Sequence, residues 1–159
     1  MQEYPLFFTL THEINSLNYV ARVVSRGRVL MAFEDGEWWC HGVDPGGITE
    51  RGETPVAAWT AFKAAMGAVF ADLSGDAAAF DDFKRLVNVF IADRDDTEAS
   101  RWETARLKMR ANSATAEDIP FKGLDRIAGN IAPSVTVERL EAIVPAEKET
   151  IGLAFAEAA

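Results

Sequence analysis

Alternating apolar and polar positions run through the first third of the chain, which is the pattern of strands with one buried face. Residues 6–10 and 17–24 are rich in Phe, Val, Tyr and Thr, which favour strands. Residues 25–28 have turn chemistry, so we expect a hairpin turn before the next strand. Residues 29–34 alternate in the same way, and at least one of their faces should be buried.

Turn-forming residues then separate two further strands. The pair Asp35-Gly36 can supply the positive φ angles of a two-residue type I′ turn. Residues 37–43 continue as a strand with two consecutive tryptophans, whose side chains must point to opposite faces. Residues 44–47 contain a proline and a glycine pair that end this strand, and residues 48–52 have the pattern of a short one.

A long helix follows these strands. Thr54 suits the N-cap position and Pro55 suits the first helical turn. We expect the helix to cover residues 55–73, with an apolar stripe that can cover one face of the sheet. The residues of this stripe are Trp59, Phe62, Met66, Val69, Phe70 and Leu73.

Two more helices are indicated in the second half of the chain. Residues 80–91 repeat apolar positions at helical spacing between charged ones. After a polar break at residues 93–96, Thr97 can cap a third helix that reaches Met109. This third helix is weakly amphipathic and mostly charged, so we expect it to lie on the surface or against a partner.

The remainder of the chain is rich in loops and contains one clear strand. Residues 112–133 mix Ser, Thr, Gly and Pro with short apolar triplets, and one turn of helix is expected near residues 124–127. Residues 134–144 are rich in β-branched side chains and carry charges on both faces, which fits an edge strand. Pro145 ends this strand, and the Ala- and Glu-rich tail is expected to form a short helix.

Together these elements predict an α+β fold in a single domain over residues 1–159. A small, mainly antiparallel sheet is packed on one side by the 55–73 helix. Residues 76–133 form a helical insertion with a loop, and the late strand at residues 134–144 rejoins the sheet.

Composition places the chain among folded globular proteins, because 48% of its 159 residues are hydrophobic and 26% are charged. The net charge is −9, from 16 basic and 25 acidic residues, which argues against a broad nucleic-acid-binding surface. The chain has no apolar run as long as a membrane span and no signal-peptide pattern at its start. We therefore expect a cytoplasmic protein without membrane association.

The candidate catalytic and metal-binding residues each have a simpler structural interpretation. His12 and His41 are the two histidines, with Glu13 beside the first and Asp44 near the second. Neither has the spacing of a two-histidine metal helix, and a structural histidine is the more common case. Cys40 lies in the middle of a strand, where it fits a small buried hydrophobic residue. We expect no cofactor, no metal and no catalytic residue, and a hydrolase that uses His41 is the least favoured alternative.

The best candidate surface for a partner lies in the third helix, where basic residues accompany a tryptophan. Arg106 and Arg110 share one side of this helix, with Trp102 one turn before Arg106 and Arg101 next to it. Such a surface would suit nucleic acid or an acidic partner. Acidic residues in the same helix dilute it, and a solvated helix face is the more common outcome.

Three features of residues 29–73 occur in a characteristic order. They are a hairpin turn, the Gly46-Gly47 pair before a short strand, and the Thr54-Pro55 start of a long helix. In this order they resemble the HicB-like antitoxin domain, which has a truncated RNase H-like fold of three strands and a helix. The resemblance covers less than a third of the chain.

The resemblance implies a non-enzymatic, regulatory protein-binding module. Its expected partner is a small RNase-type toxin, and its expected assembly is a homodimer. Antitoxins of this family usually continue into a DNA-binding module, but the segment after residue 135 leaves little room for one, so we expect no specific DNA binding. The alternative is an orphan member of the fold that binds a small molecule or acts as a structural dimer.

Overall fold

The computed structural model describes residues 2–111, 125–128, 132–141 and 149–155, which form a seven-stranded sheet and three helices. The fold is α+β with a mostly antiparallel sheet, which confirms the predicted class. The strands are β1 (Gln2–Asn15), β2 (Val20–Glu34), β3 (Glu37–Asp44), β4 (Thr49–Gly52), β5 (Asp125–Ala128), β6 (Ser134–Leu140) and β7 (Thr150–Phe155). The helices are α1 (Pro55–Gly75), α2 (Phe80–Ala92) and α3 (Asp96–Ala111).

The first four strands form an antiparallel meander in the spatial order β4-β3-β2-β1. On the other side of β1 lies β7, which is antiparallel to it, and β5 pairs in parallel with β7 at the far edge. Strand β2 is long enough to pair with two strands along one side. Its residues 20–26 pair with β6 and its residues 28–34 pair with β3.

Strand β2 is continuous, so the turn expected at residues 25–28 is wrong. The turn between β1 and β2 lies earlier, where the Ser16 amide donates a hydrogen bond to the Tyr19 carbonyl at 2.9 Å. The glycine in the expected turn has another role. A Cβ atom on Gly27 would lie 1.8 Å from the carbonyl oxygen of Asp44, so only glycine allows β3 to approach β2 this closely.

The C-terminal elements differ more from the expectation. The late strand is confirmed as an edge strand, because among the described residues β6 pairs only with β2; residues 142–144 of the expected strand lie outside them. Strand β5 replaces the turn of helix expected near residues 124–127, and strand β7 replaces the helix expected in the tail. Both pair with neighbouring strands, and that long-range pairing overrides the local helical preference of Ala and Glu. Residues 112–124 of the expected loop also lie outside the described residues.

Helices α1 and α2 cover one face of the sheet, and α1 confirms the helix expected at residues 55–73. Its aromatic side chains pack on β1, with the Phe8 ring centroid 5.7 Å from that of Trp59 and 6.0 Å from that of Phe62. Helix α2 adds Phe83 and Val87, both fully buried, to the same core. Helix α3 packs on the opposite face, so the sheet lies between two helical layers.

Helix α1 is long and apolar enough to cross a membrane, judged by length and composition alone, so the expectation that no apolar run reaches that length is wrong. It has 21 residues and a mean hydropathy of 1.3, and 28% of its most apolar window is buried inside the described structure. A core helix of a soluble protein can have the same properties. Helix α1 nevertheless has apolar residues on its exposed side as well as on the side that faces the sheet.

Candidate functional site

Trp102, one of the residues predicted to form a partner surface, lies inside the protein. It is 2% exposed, and its ring centroid is 5.1 Å from that of Phe7 on β1. Its indole nitrogen donates a hydrogen bond to the Leu6 carbonyl at 3.3 Å. Helix α3 therefore packs its tryptophan on the protein's own sheet. The part of the prediction that put Trp102 on an exposed surface is wrong.

Arg101 points to the edge of the sheet and is held there by acidic side chains. Its guanidinium donates to Glu34 at 2.7 Å, to Glu3 at 3.0 Å and to Glu98 at 3.1 Å. Burial alone would lower the pKa of Arg101, but the hydrogen bonds to Glu34 and Glu3 raise it above the ordinary value. These carboxylates neutralise the guanidinium, so Arg101 contributes little positive potential to the surface.

The other two basic residues of the predicted surface differ in their environment. Arg106 pairs with Glu103 one turn earlier on α3, and its side chain is only 19% exposed. Arg110 is exposed, and no ion pair joins it to the part of the chain that the structure describes. The structure therefore does not bring the predicted residues together as one basic patch.

His41 lies on the α3 side of the sheet, with Glu34 and Thr49 as its polar neighbours. Its Nε2 atom is 3.6 Å from Glu34 Oε1, and its Nδ1 atom is 3.5 Å from the Thr49 hydroxyl. Hydroxyl, imidazole and carboxylate lie in the order of a nucleophilic relay, but Nε2 of His41 makes no hydrogen bond to the described residues, because 3.6 Å is too long for one. However, Glu34 Oε1 already accepts the short hydrogen bond from Arg101. The geometry gives the hydrolase alternative weak support.

Asp44, the acid expected near His41, is used elsewhere. Its carboxylate accepts a hydrogen bond from Arg28 Nε at 2.5 Å, and its side chain is 6% exposed. The glycine-rich segment after it is fixed by the link between α2 and α3. The Gly46 amide donates to the Asp93 carbonyl at 2.7 Å, and the Asp95 amide donates to the Val43 carbonyl at 3.1 Å. The glycine-rich segment therefore has a structural role, because it connects the end of β3 to the link between α2 and α3.

The remaining candidates for chemistry lie in the core. Cys40 is fully buried, and burial raises the pKa of its thiol far above the ordinary value. A thiol in this state is a poor nucleophile. His12 lies between β1 and α1, where burial lowers the pKa of its imidazole. Among the described residues, no group of three or more His, Cys, Asp or Glu side chains is placed to hold a metal ion.

The side of α1 that points away from the sheet is the most unusual surface of the described structure. We call it the outer face of α1, and its residues are Val56, Ala57, Thr60, Ala64, Ala68 and Ala71. All of them are exposed, and none is charged. The charged residue that lies among them in sequence, Lys63, is half-buried and lies 3.7 Å from Glu149. The outer face of α1 is therefore an uncharged strip about four helical turns long.

Acidic residues follow at the C-terminal end of this strip. Asp72 and Asp76 end α1, and Asp81 and Asp82 lie in the first turn of α2. All four are exposed, and no ion pair joins them to other described residues. The surface therefore combines an apolar strip with a cluster of unpaired negative charge.

Comparison with known proteins does not assign the chain to a family. No protein-family model matches the chain, and neither a curated protein nor a solved structure matches it.

Proposed function

We propose that this protein is a non-enzymatic, regulatory protein-binding module similar to HicB-like antitoxins. The resemblance at residues 29–73 motivates the family, and these residues form three neighbouring antiparallel strands followed by α1. The single observation that carries the proposal is the uncharged outer face of α1. In a helix that faces water, this side is normally occupied by charged and polar residues.

The small side chains of the outer face suit contact with another protein. Four of the six residues are alanine, which loses no rotamer entropy on burial and lets a partner approach the helix backbone closely. A protein surface gains free energy by covering such a strip, because its apolar area leaves water. We infer that a protein partner covers the outer face of α1.

The charge of the chain favours a basic partner. The net charge is −9, and the acidic cluster lies directly beyond the outer face of α1. Enzymes that act on RNA carry positive surface, because they must bind phosphate groups. A small RNase-type toxin therefore has the charge that complements this protein, and electrostatic attraction would speed their association.

The test uses the purified chain and the small protein encoded by the neighbouring gene. Complex formation is measured by size-exclusion chromatography with light scattering, and neutralisation is measured as loss of the partner's RNase activity. Ala64→Arg places a bulky positive charge in the middle of the outer face. Val89→Arg is the matched control, because Val89 is 63% exposed and lies on α2 rather than on α1. Circular dichroism checks that both variants fold.

We expect the original chain and Val89→Arg to bind and neutralise the partner, and Ala64→Arg to bind it at least about tenfold more weakly, the cost of a buried like charge. Equal binding by both variants would place the interface elsewhere. A neighbouring gene that encodes no such protein would count heavily against the antitoxin reading.

Self-association remains part of the proposal. The edge of β4, which pairs only with β3 among the described residues, offers a surface on which two copies could pair. We expect a dimer by light scattering at tens of micromolar, a concentration at which a micromolar complex is populated. A monomer under these conditions would reject the homodimer and leave the question of a different partner to the binding experiment.

A further inference from the structure

A cavity of about 310 Å³ lies between α3 and the sheet, on the opposite side of the molecule from α1. Its lining includes Phe7 and Arg28 from the sheet, Trp102, Glu103 and Arg106 from α3, and Pro133 just before β6. This volume is at the small end of the range for ligand sites in proteins. The cavity can therefore hold a small molecule.

The walls of the cavity are mainly apolar and rigid. Phe7 and Trp102 are buried and in contact with each other, and the indole of Trp102 is fixed by its hydrogen bond to the Leu6 carbonyl. Pro133 adds a third apolar wall. These residues suit the flat apolar body of a ligand.

Arg28 supplies a positioned cation in the cavity. Its guanidinium carbon lies 4.9 Å from the centroid of the Trp102 ring, and its side chain is 16% exposed. Asp44 accepts a hydrogen bond from Nε and so fixes the side chain. The two terminal nitrogens make no hydrogen bond to the described residues. They form a free, preorganised fork, the geometry that matches a carboxylate.

Both guanidinium groups of the cavity are paired with carboxylates, Arg28 with Asp44 and Arg106 with Glu103. The lining carries two guanidinium groups, of Arg28 and Arg106, and one carboxylate, of Glu103. The side chain of Glu103 is 45% exposed, whereas that of Arg106 is 19% exposed, so the negative group lies nearer to water. The charges of the cavity therefore nearly balance, and the group that can bind an anion is the terminal fork of Arg28.

We propose that this cavity is a binding site for a small planar carboxylate, an aromatic monocarboxylate in particular. The carboxylate pairs with the terminal nitrogens of Arg28, and the ring packs against Pro133 and against the parts of Phe7 and Trp102 that line the cavity. A cation finds no acceptor at the terminal nitrogens of Arg28, which can only donate. A small inorganic anion would leave the apolar walls uncovered. This site is separate from the outer face of α1, so it adds a ligand to the proposed protein-binding role.

The experiment uses the full chain, with benzoate as the probe and benzyl alcohol as its uncharged counterpart. Binding is followed by the indole N–H signal of Trp102 in two-dimensional NMR spectra, which the Trp102→Phe variant assigns among the four tryptophans. We expect a saturable shift of this signal with benzoate and none with benzyl alcohol at the same concentrations.

Two variants and a control locate the charge contact. Arg28→Lys keeps the positive charge beside Asp44 but removes the fork, and Arg106→Gln removes the cation that pairs with Glu103, which leaves that carboxylate unpaired in the lining. Arg110→Gln removes an exposed arginine one turn further along α3. We expect the benzoate affinity to fall about tenfold in Arg28→Lys, the usual cost of losing charge-assisted hydrogen bonds. It should fall severalfold in Arg106→Gln and stay unchanged in Arg110→Gln.

Several results would contradict the proposed site. The absence of a saturable shift, an equal response to benzyl alcohol, or unchanged affinity in both Arg28→Lys and Arg106→Gln would each overturn the site. If Arg28→Lys does not fold, the comparison of Arg106→Gln with Arg110→Gln decides. None of these measurements involves the protein partner, so their failure leaves the proposed function intact.

Discussion

The two ring nitrogens of His12 have very different surroundings beneath α1. Nε2 lies 3.3 Å from the carbonyl oxygen of Lys63 and must carry a hydrogen to donate there. Nδ1 is buried and has no hydrogen-bond partner among the described residues. Protonation would add an unpaired N–H and a charge at that position. Burial therefore lowers the pKa of His12, and it outweighs the hydrogen bond to the Lys63 carbonyl and the charge of Glu149, which raise that pKa.

This environment gives the stability a pH dependence. Because the folded-state pKa lies below the unfolded value of about 6.5, the unfolded chain binds the proton first as the pH falls. The free energy of unfolding contributed by His12 is thus complete above about pH 6.5 and decreases as the pH falls from there towards the folded-state pKa. We expect urea unfolding at pH 8 and pH 5 to show a smaller difference in His12→Asn than in the original chain. An equal or larger difference in the variant would contradict this assignment.

Thr54 determines where α1 begins. Its hydroxyl accepts a hydrogen bond from the Ala57 amide at 3.1 Å, and Pro55 follows in the first helical turn. We expect Thr54→Ala to lower the free energy of unfolding by about 1 kcal/mol, the usual cost of losing an N-cap side chain. Thr60→Ala is the control, because Thr60 is exposed in the middle of the same helix and caps nothing. Equal urea midpoints for Thr54→Ala and Thr60→Ala would mean that the cap contributes nothing.

At the scale of elements, the hydrophobic pattern of α3 does not predict which of its residues are buried. Its buried residues are Trp102, Ala105 and Met109, and alanine provides only a weak apolar signal between the two large side chains. The charged residues around them suggested a solvated or partner-facing helix. In the structure these charges pair with Glu3, Glu34 and with acids of α3 itself. The sequence predicted the helix, but it could not predict the distant carboxylates that let it lie on the sheet.

The packing of α3 predicts a large effect of removing its tryptophan. Trp102→Ala leaves a cavity against Phe7 and breaks the hydrogen bond to Leu6, so we expect the free energy of unfolding to fall by about 3–5 kcal/mol. Trp39→Ala is the control, because Trp39 is half-buried and stacks on His41 near the edge of the sheet. Denaturant unfolding measures both. A smaller loss for Trp102 than for Trp39 would show that α3 does not belong to the core.

The strands were predictable where local signals decide them and missed where distant pairing does. The Asp35-Gly36 turn and the strands beside it follow from neighbouring residues, and both residues have positive φ in the structure. Gly27 gave a false turn signal, because its role is close contact with β3 across the sheet. Strands β5 and β7 depend on each other and on β1. Neither contains a local pattern strong enough to predict such pairing.

At the scale of the whole molecule, the distribution of charge and apolar surface carries most of the functional argument. The outer face of α1 could be noticed in the sequence as alanine at positions where a surface helix has charges. The sequence alone does not show that these alanines are exposed. The packing of Trp59, Phe62 and Met66 shows which side of α1 points outwards. The cavity beside Trp102 could not be predicted at all, since it joins residues from distant parts of the chain.

The same distribution bears on DNA. Specific duplex binding needs concentrated positive charge, and this chain has 16 basic against 25 acidic residues. Of the three arginines in the predicted surface, Arg101 and Arg106 are paired with carboxylates, whereas Arg110 is exposed. We therefore expect no sequence-specific binding to duplex DNA by the protein alone near physiological salt.

Electrophoretic mobility shifts with the protein's own promoter and with a scrambled duplex of equal length test this expectation. Weak, equal retardation of both duplexes at low salt, lost as salt rises, would be ordinary counterion-driven association and agrees with it. Arg110→Ala should then reduce that weak binding more than Arg106→Ala, because the guanidinium of Arg106 is already paired with Glu103. Nanomolar binding selective for the promoter would contradict the prediction. It would show that the protein also acts as a repressor, with a DNA-binding surface that the charges of α3 do not explain.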